Sequence, residues 1–352
     1  MRIAMITLNV YDNYGNMLQK YALYRTLKKF AEFVEVLWYP ENKPFYPYKL
    51  ESDPLKEGNL KNTAFWSVRE YKIKQFNDTN MRTRFDIPYL EELADEYDFF
   101  VVGSNQVWNP EINLPNRFLD FAPPEKRIAY AASIEASKIP EEAQETYRKK
   151  ILEMPHVSVR EKESCDLIEK ITGKRPVHVL DPVFLLTADE WRAFEKRPTW
   201  FKDSIYERGY LLTYWLNGKP PKEIKFLAAK FGLPLINLLD LNNFNHYATG
   251  IEEFLYLIDH ATFLCLQSFY GTAFATLFKK PFMVYKTDKL LQKKFYCIGS
   301  LLDLFGLSDR VAEADFEIKS DDLLKIDFTR LEELLPPERK KAFKFLAEAL
   351  WQ

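Results

Sequence analysis

Four short stretches of this sequence carry side chains suited to chemistry. Asn13-Tyr14-Gly15-Asn16, with Gln19 one turn further on, forms a polar turn at the start of a helical pattern. Amides with one tyrosine suit recognition of a sugar or a donor group, and Asn13 and Asn16 also suit helix capping. Gly103-Ser104-Asn105-Gln106 closes an apolar run; Asn105 can orient a hydroxyl but cannot take a proton. Arg160 follows the run His156–Val159, and its planar fork fits a carboxylate or phosphate in a cleft, or an internal Asp or Glu. Ser268-Phe269-Tyr270-Gly271-Thr272 lies where an apolar strand gives way to a helix. Backbone N–H groups at such a helix start hold anions, unless Gly271 only makes the turn and Ser268 only the cap. Tyr270 has an ordinary pKa of about 10, so near neutrality it is a donor or an acid and a poor base. Its bland reading is an aromatic packed in a phenylalanine-rich core. The acidic candidates for a base are Asp12 and Asp120, both more readily explained as solvated surface.

Composition excludes several classes around these stretches. Lys+Arg minus Asp+Glu is 49 − 51 = −2, so no global positive field draws the chain to nucleic acid. Neither G-x-G-x-x-G nor G-x-x-x-x-G-K-[ST] occurs. Cys165, Cys265 and Cys297 make no C-x-x-C pair, and the four histidines show no metal spacing, so no metal is expected. A reducing cytoplasm is the expected compartment, with no signal peptide. Ala261–Phe278 is uncharged, but Gln267, Ser268, Gly271 and Thr272 at its centre make it a strand, a turn and a helix rather than a membrane span. Lys279, Lys280, Lys286, Lys289, Lys293 and Lys294 interleave with Phe282, Leu290, Leu291 and Phe295. That pattern fits either a solvated helix face or contact with an anionic membrane.

The elements that must position these residues alternate. Arg2–Leu8 reads as a strand, the stretch after Asn16 as a helix to Phe30, and Phe33–Tyr39 as a strand. Residues 40–62, rich in Pro, Lys, Tyr and Asn, read as a long loop or lid. A helix over 63–77 follows, then strands at Asp98–Val102, Arg127–Ala131 and His156–Val159, with helices at Glu141–Leu152 and Glu161–Thr172. Asp181-Pro182 reads as a hinge at the exit from the first domain. The second half repeats the pattern: strands at Tyr210–Thr213, Leu233–Asn237, Thr262–Gln267 and Pro281–Val284, then a Lys-rich helix near 288–305 and a closing helix over Pro337–Trp351. At about 150 residues per domain, two domains fit the length. The fold class expected is α/β, with two Rossmann-like doubly wound domains, 1–185 and 186–330, facing across a cleft. A C-terminal helix over 331–352 would pack back on the first domain.

Several segments, in order, resemble the polysaccharide pyruvyl transferase family. They are Asn13 to Leu23, Val102 to Asn109, Ile128 to Ser133, Ser158 to Glu161, Val179 to Leu186, and Ser268 to Phe274 running into Lys280-Pro281-Phe282. The resemblance spans roughly residues 6 to 310. It implies transfer of pyruvate from phosphoenolpyruvate to two hydroxyls of a sugar, as a cyclic ketal, with release of phosphate. The acceptor would be a cell-surface polysaccharide or its lipid-linked precursor. The implied fold is the two-domain GT-B arrangement, with the site in the cleft and phosphoenolpyruvate as donor substrate rather than cofactor. Tyr270, Asn105 and Arg160 then become the catalytic candidates. Asn13, Tyr14, Gly15, Asn16, Gln19, Ser104, Gln106, Ser268, Gly271 and Thr272 become the substrate-binding candidates. Three positions depart from the family pattern: Asn105 stands where aspartate is usual, Tyr270 where histidine is usual, and Tyr296-Cys297 where a serine-arginine pair is common. These losses leave two alternatives: a glycosyltransferase using a sugar nucleotide on the same scaffold, or a catalytically silent glycan-binding relative. A saccharide partner, peripheral membrane contact at the inner face and no nucleic acid are expected. The acceptor sugar and the oligomeric state have no signature in the sequence.

Overall fold

The computed structural model describes residues 1–8, 13–38, 60–85, 87, 90–112, 114, 116–202, 204–216, 220–286, 295–313 and 321–351. Asp12, most of the expected lid at 40–62, and Lys289, Lys293 and Lys294 with Leu290 and Leu291 fall outside them.

The chain divides into two compact units. The first comprises Met1–Tyr46, Asn77–Leu186 and Glu333–Gln352, the second Pro47–Phe76 and Thr187–Glu332. In the first unit the elements are β1 (Arg2–Ile6), α1 (Tyr14–Leu27), β2 (Phe33–Leu37), the end of α2 (Leu60–Asn80), β3 (Thr83–Arg84), α3 (Leu90–Glu96), β4 (Phe99–Asn105), β5 (Arg127–Ala132), α4 (Glu141–Leu152), β6 (His156–Val159), α5 (Lys162–Thr172) and β7 (Val177–His178). In the second they are the start of α2, α6 (Ala188–Arg192), β8 (Leu211–Tyr214), α7 (Lys222–Lys230), β9 (Leu235–Leu238), α8 (Phe244–Tyr247), α9 (Ile251–Asp259), β10 (Phe263–Leu266), α10 (Phe269–Leu277), β11 (Phe282–Lys286), α11 (Phe295–Phe305) and β12 (Val311–Glu313). The closing helix α12 (Thr329–Leu350) begins in the second unit and runs on in the first.

Each unit is built on one wholly parallel sheet. Among the described residues the first sheet has seven strands in the order β3-β2-β1-β4-β5-β6-β7, the second five in the order β12-β11-β10-β8-β9. Ile3 to Ile6 of β1 are buried on both faces, as a parallel sheet covered by helices demands. Their register sets Met5 opposite Val36 on one side and Val101 on the other. The core of the first unit gathers Ile6, Val102, Trp108, Ala129 and Ile151, and that of the second Leu211, Ile224, Leu227, Phe263 and Cys265. Both sheets are α/β doubly wound, and in each the strand order reverses beside the first strand of the unit: between β1 and β4, and between β8 and β10. At such a reversal the connecting helices leave to opposite faces. A crevice opens there at the carboxyl ends of the strands, the place where ligands bind in open α/β sheets. Among the described residues no helix is long and apolar enough to cross a membrane. The uncharged stretch at 261–278 is β10, a cap and α10.

Candidate functional site

The reversal in the first unit carries Asn13, Asn16, Gln19 and the Gly103–Gln106 turn. Asn13 caps α1, its Oδ1 accepting the Asn16 N–H at 3.1 Å. One turn on, Gln19 ties β1, α1 and β4 together. Its Nε2 donates to Thr7 Oγ1 at 2.9 Å and to the Asn16 carbonyl at 3.1 Å, and its Oε1 accepts the Ser104 N–H at 3.2 Å. Ser104 Oγ donates to the Ala131 carbonyl at 2.9 Å. Gly103 has φ 149°, and a Cβ there would lie 1.9 Å from the Tyr130 carbonyl oxygen, so no other residue fits. Asn105 takes the left-handed conformation at φ 67°, one that asparagine tolerates better than most residues. Its Nδ2 donates to Asn16 Oδ1 and its Oδ1 accepts the Gln106 N–H at 2.9 Å. Its carbonyl accepts from Val107 and Ser133 at 2.7 and 3.0 Å. Trp108, bonded through Nε1 to the Arg117 carbonyl and stacked on Phe118, anchors the far end of this turn.

The sequence candidates therefore divide into two layers. Tyr14, Gly15, Gln19 and Ser104 are buried supports, Asn16 and Asn105 are nearly so, and Asn13 and Gln106 are the partly exposed members. Sequence reasoning passed over Lys20, next to Gln19 and one turn from Asn16. It is 1% exposed, its Nζ 5.4 Å from the centre of the Trp38 ring. Burial pulls its ammonium down to about 7, against the opposing pull of Asp78. The one signal available was its place in the most apolar part of α1.

Arg160 is engaged inside the first unit. Nε meets Glu161 Oε1 at 2.6 Å, an NH1 hydrogen goes to Asp181 Oδ2 at 2.9 Å, and NH2 donates to Ser133 Oγ at 3.3 Å. Glu161 also accepts from Ser133 and Ser164 hydroxyls, at 2.8 and 2.9 Å. Of the two readings of Arg160, the geometry matches the internal ion pair. Asp181 belongs to the same network: its Oδ1 accepts the Val183 N–H at 3.0 Å and caps a single 3-10 turn over Pro182–Leu185. Burial raises its carboxyl pKa, with Arg160 pulling the other way. Asp120, exposed, meets Lys150 at 3.1 Å and takes no part in either turn.

The reversal in the second unit carries Ser268–Thr272. β10 ends at Leu266, and Ser268 caps α10, its Oγ accepting the Gly271 N–H at 3.4 Å. The Ser268 carbonyl accepts from the Thr272 N–H and Oγ1, at 3.0 and 2.9 Å. A Cβ on Gly271 would lie 3.1 Å from Leu266 Cδ2 and 3.2 Å from Tyr214 Cδ1, so glycine lets the helix start press against β8 and β10. The helix dipole makes this end partially positive, which favours an anion. Tyr270 is buried and lies edge-on to Phe269, its ring centre 5.1 Å away. Cys297, in α11, is buried. Burial also holds the His246 imidazole down to about 4, and lowers the His156 and His178 imidazole pKa values. Among the described residues, Glu195, Asp259 and His260 have polar atoms within 4.8 Å of one another. Both Asp259 oxygens are taken by Arg192, so no metal site is assigned to them.

No curated protein matches the sequence. Solved structures that resemble the chain include a UDP-GlcNAc 2-epimerase from Neisseria meningitidis bound to UDP-GlcNAc (12% identity, TM-score 0.48, 100% of each chain covered). They also include the UDP-GlcNAc 2-epimerase of Methanocaldococcus jannaschii (12%, 0.47, 98% of this chain and 92% of that one). A third is the ADP-heptose lps heptosyltransferase II of E. coli (13%, 0.39, 97% and 99%). The family model described as polysaccharide pyruvyl transferase matches residues 13–289, from the cap of α1 to beyond β11. Most of the chain lies within that match and both polar turns fall inside it: the protein belongs to the polysaccharide pyruvyl transferase family.

Proposed function

We propose that this chain transfers pyruvate from phosphoenolpyruvate to a sugar of a cell-surface polysaccharide or its lipid-linked precursor, forming a ketal. The observation that carries this reading is the family match over residues 13–289, a span that includes both polar turns. A proton adds to the methylene carbon of the enol, and one sugar hydroxyl bonds to the adjacent carbon. The carbon–oxygen bond to phosphate then breaks, and a second hydroxyl takes its place. Of the two hydroxyl protons released, one offsets that gained by the methyl group and the other leaves with phosphate.

Each residue has a part matched to its chemistry. The start of α10, with Ser268, Gly271 and Thr272, receives the anionic donor, and the Tyr270 phenol is the proton donor near it. Asn13, Asn16, Asn105 and Gln106 offer amides to sugar hydroxyls, while Tyr14, Gly15, Gln19 and Ser104 hold them in place. Arg160 braces the Ser133–Asp181 side of the first sheet rather than touching substrate. Phosphoenolpyruvate is the donor substrate and no cofactor takes part. The setting is the cytoplasm, at the inner face of the membrane where lipid-linked sugars are built. The test is phosphate release from phosphoenolpyruvate with a panel of sugar acceptors; no phosphoenolpyruvate binding by calorimetry at millimolar concentration overturns the reading.

The amide character of the first turn favours a second reading, a glycosyltransferase using a sugar nucleotide, since Asn16, Asn105 and Gln106 orient but do not exchange protons. Thermal shifts with sugar nucleotides and with phosphoenolpyruvate separate the two, because a ligand at 100 times its Kd adds about 2.7 kcal/mol. If neither stabilises the chain, a catalytically silent glycan binder is the reading left.

A further inference from the structure

We propose that Glu195 and Asp259 share one proton, which closes a pH-sensitive clasp between the chain ends of α6, α9 and α10 at the amino-terminal edge of the second sheet. Glu195 follows α6, Asp259 ends α9, and Lys280 follows α10 just before β11. The Glu195 side chain is nine-tenths buried, and its Oε1 has no hydrogen-bond partner among the described residues. A buried carboxylate oxygen without a donor is costly, so something positive belongs there.

The neighbours decide what that is. Arg192 holds both oxygens of Asp259, through Nε at 2.8 Å and NH2 at 3.2 Å, while NH1 meets Asp189 at 3.1 Å. Asp259 is thereby kept ionised; burial pushes its carboxyl up, but the Arg192 bonds hold it below the ordinary value. With that charge alongside, Glu195 is the member that takes the proton. Burial first, then the Asp259 charge, raises its carboxyl to about 7. His260 does not supply the missing donor: its Nδ1 sits 3.0 Å from the Tyr256 carbonyl and 3.6 Å from Glu195 Oε2. Its ring stacks on Tyr256, with centres 4.0 Å apart. The Tyr210 hydroxyl donates to the Leu257 carbonyl at 2.7 Å. Lys280 acts on both carboxyls through its charge, and burial lowers its own pKa. Two cations, Arg192 and Lys280, already border the pair and repel a divalent ion, whereas a proton fits between two oxygens.

The sign follows from the raised carboxyl. Unfolded, Glu195 titrates at its ordinary value of 4.5; folded, it holds its proton up to about 7. The clasp's contribution is complete below the first value and is lost as pH rises through the second. Above it two like charges face each other, at the opposite end of α10 from the Ser268–Thr272 turn.

Carboxyl carbon resonances of the isotope-labelled full-length chain, followed from pH 4 to 9, test the proposal. One glutamate carboxyl with a midpoint near 7 is expected. It is absent in E195Q, retained in H260N, and moved toward the ordinary range in D259N. The melting temperature of the wild type should fall between pH 5.5 and 8 more steeply than that of E195Q or D259N. The proposal is overturned if no carboxyl titrates above pH 6, or if the midpoint persists in E195Q. It is equally overturned if a chelator lowers the melting temperature and ZnCl2 shifts these resonances, which would place a cation between the carboxyls.

Discussion

Replacing Lys20 by methionine removes a buried charge while keeping a chain of similar length. The ammonium titrates at 10.5 in the unfolded chain and at about 7 in the fold. At 1.36 kcal/mol for each tenfold change, that gap costs the folded protein on the order of 4 kcal/mol at pH 7. Loss of the contact with the Trp38 ring, at 5.4 Å, returns about 1 kcal/mol. The variant is therefore expected to gain about 3 kcal/mol at pH 7, raising the melting temperature by about 6–12 °C for a domain of roughly 150–250 residues. The pH dependence carries the sharper test. Between about 7 and 10.5 the unfolded chain binds the proton that the fold refuses, so wild-type stability rises with pH across that window. In Lys20→Met this rise is absent. Thermal melts of both proteins at pH 7 and pH 9.5 give the answer. A variant less stable than wild type at pH 7, with the alkaline rise retained, refutes the assignment of a desolvated lysine.

Other substitutions probe the two turns. Gln19→Leu strands the Ser104 N–H and removes the donor to Thr7 Oγ1, with an expected loss of about 1–3 kcal/mol in urea unfolding and weaker acceptor binding by calorimetry. Gly271→Ala forces its methyl against Tyr214 and Leu266, for a loss of about 1–3 kcal/mol; its effect on turnover should fall on the KM for phosphoenolpyruvate. Arg160→Met leaves Glu161 and Asp181 buried without their cation and should lower stability by about 3–5 kcal/mol. If Arg160→Met instead keeps its melting temperature and loses only activity, the arginine acts on substrate and its structural role is wrong.

The alternation of apolar runs and amphipathic helices gave the order of most long elements, because parallel strands buried on both faces leave unbroken apolar stretches such as Ile3–Ile6. It also located both polar turns, since Gly103 and Gly271 mark places where a backbone comes too close for a side chain. Short pieces left no periodic trace: β3 has two residues and β12 three. The closing helix starts earlier than its pattern suggests. Against the expected starts at Pro337 and 331, α12 begins at Thr329 and passes through Pro336 and Pro337. Leu331, Leu335, Ala342 and Leu346 keep one buried face across the prolines, and that packing offsets two missing backbone donors, at about 3 kcal/mol for each interior proline. Lys20 escaped notice because a lysine in a helix ordinarily reads as exposed. The residues of α2 up to Phe76 cluster with the second unit although they precede most of the first in sequence; chain order carries no record of such a return.

The conformation of Asn105 has an evolutionary corollary. Asparagine and aspartate are nearly isosteric and share a tolerance for the left-handed region that φ 67° occupies. A one-residue exchange at 105 thus alters proton affinity while the main chain stays put. With aspartate there, both side-chain oxygens accept, and Asn16 answers by rotating its amide so that nitrogen replaces oxygen at the shared contact. The main chain of the turn suits either residue, so an exchange at 105 separates proton affinity from backbone shape, at the desolvation cost a buried carboxylate carries.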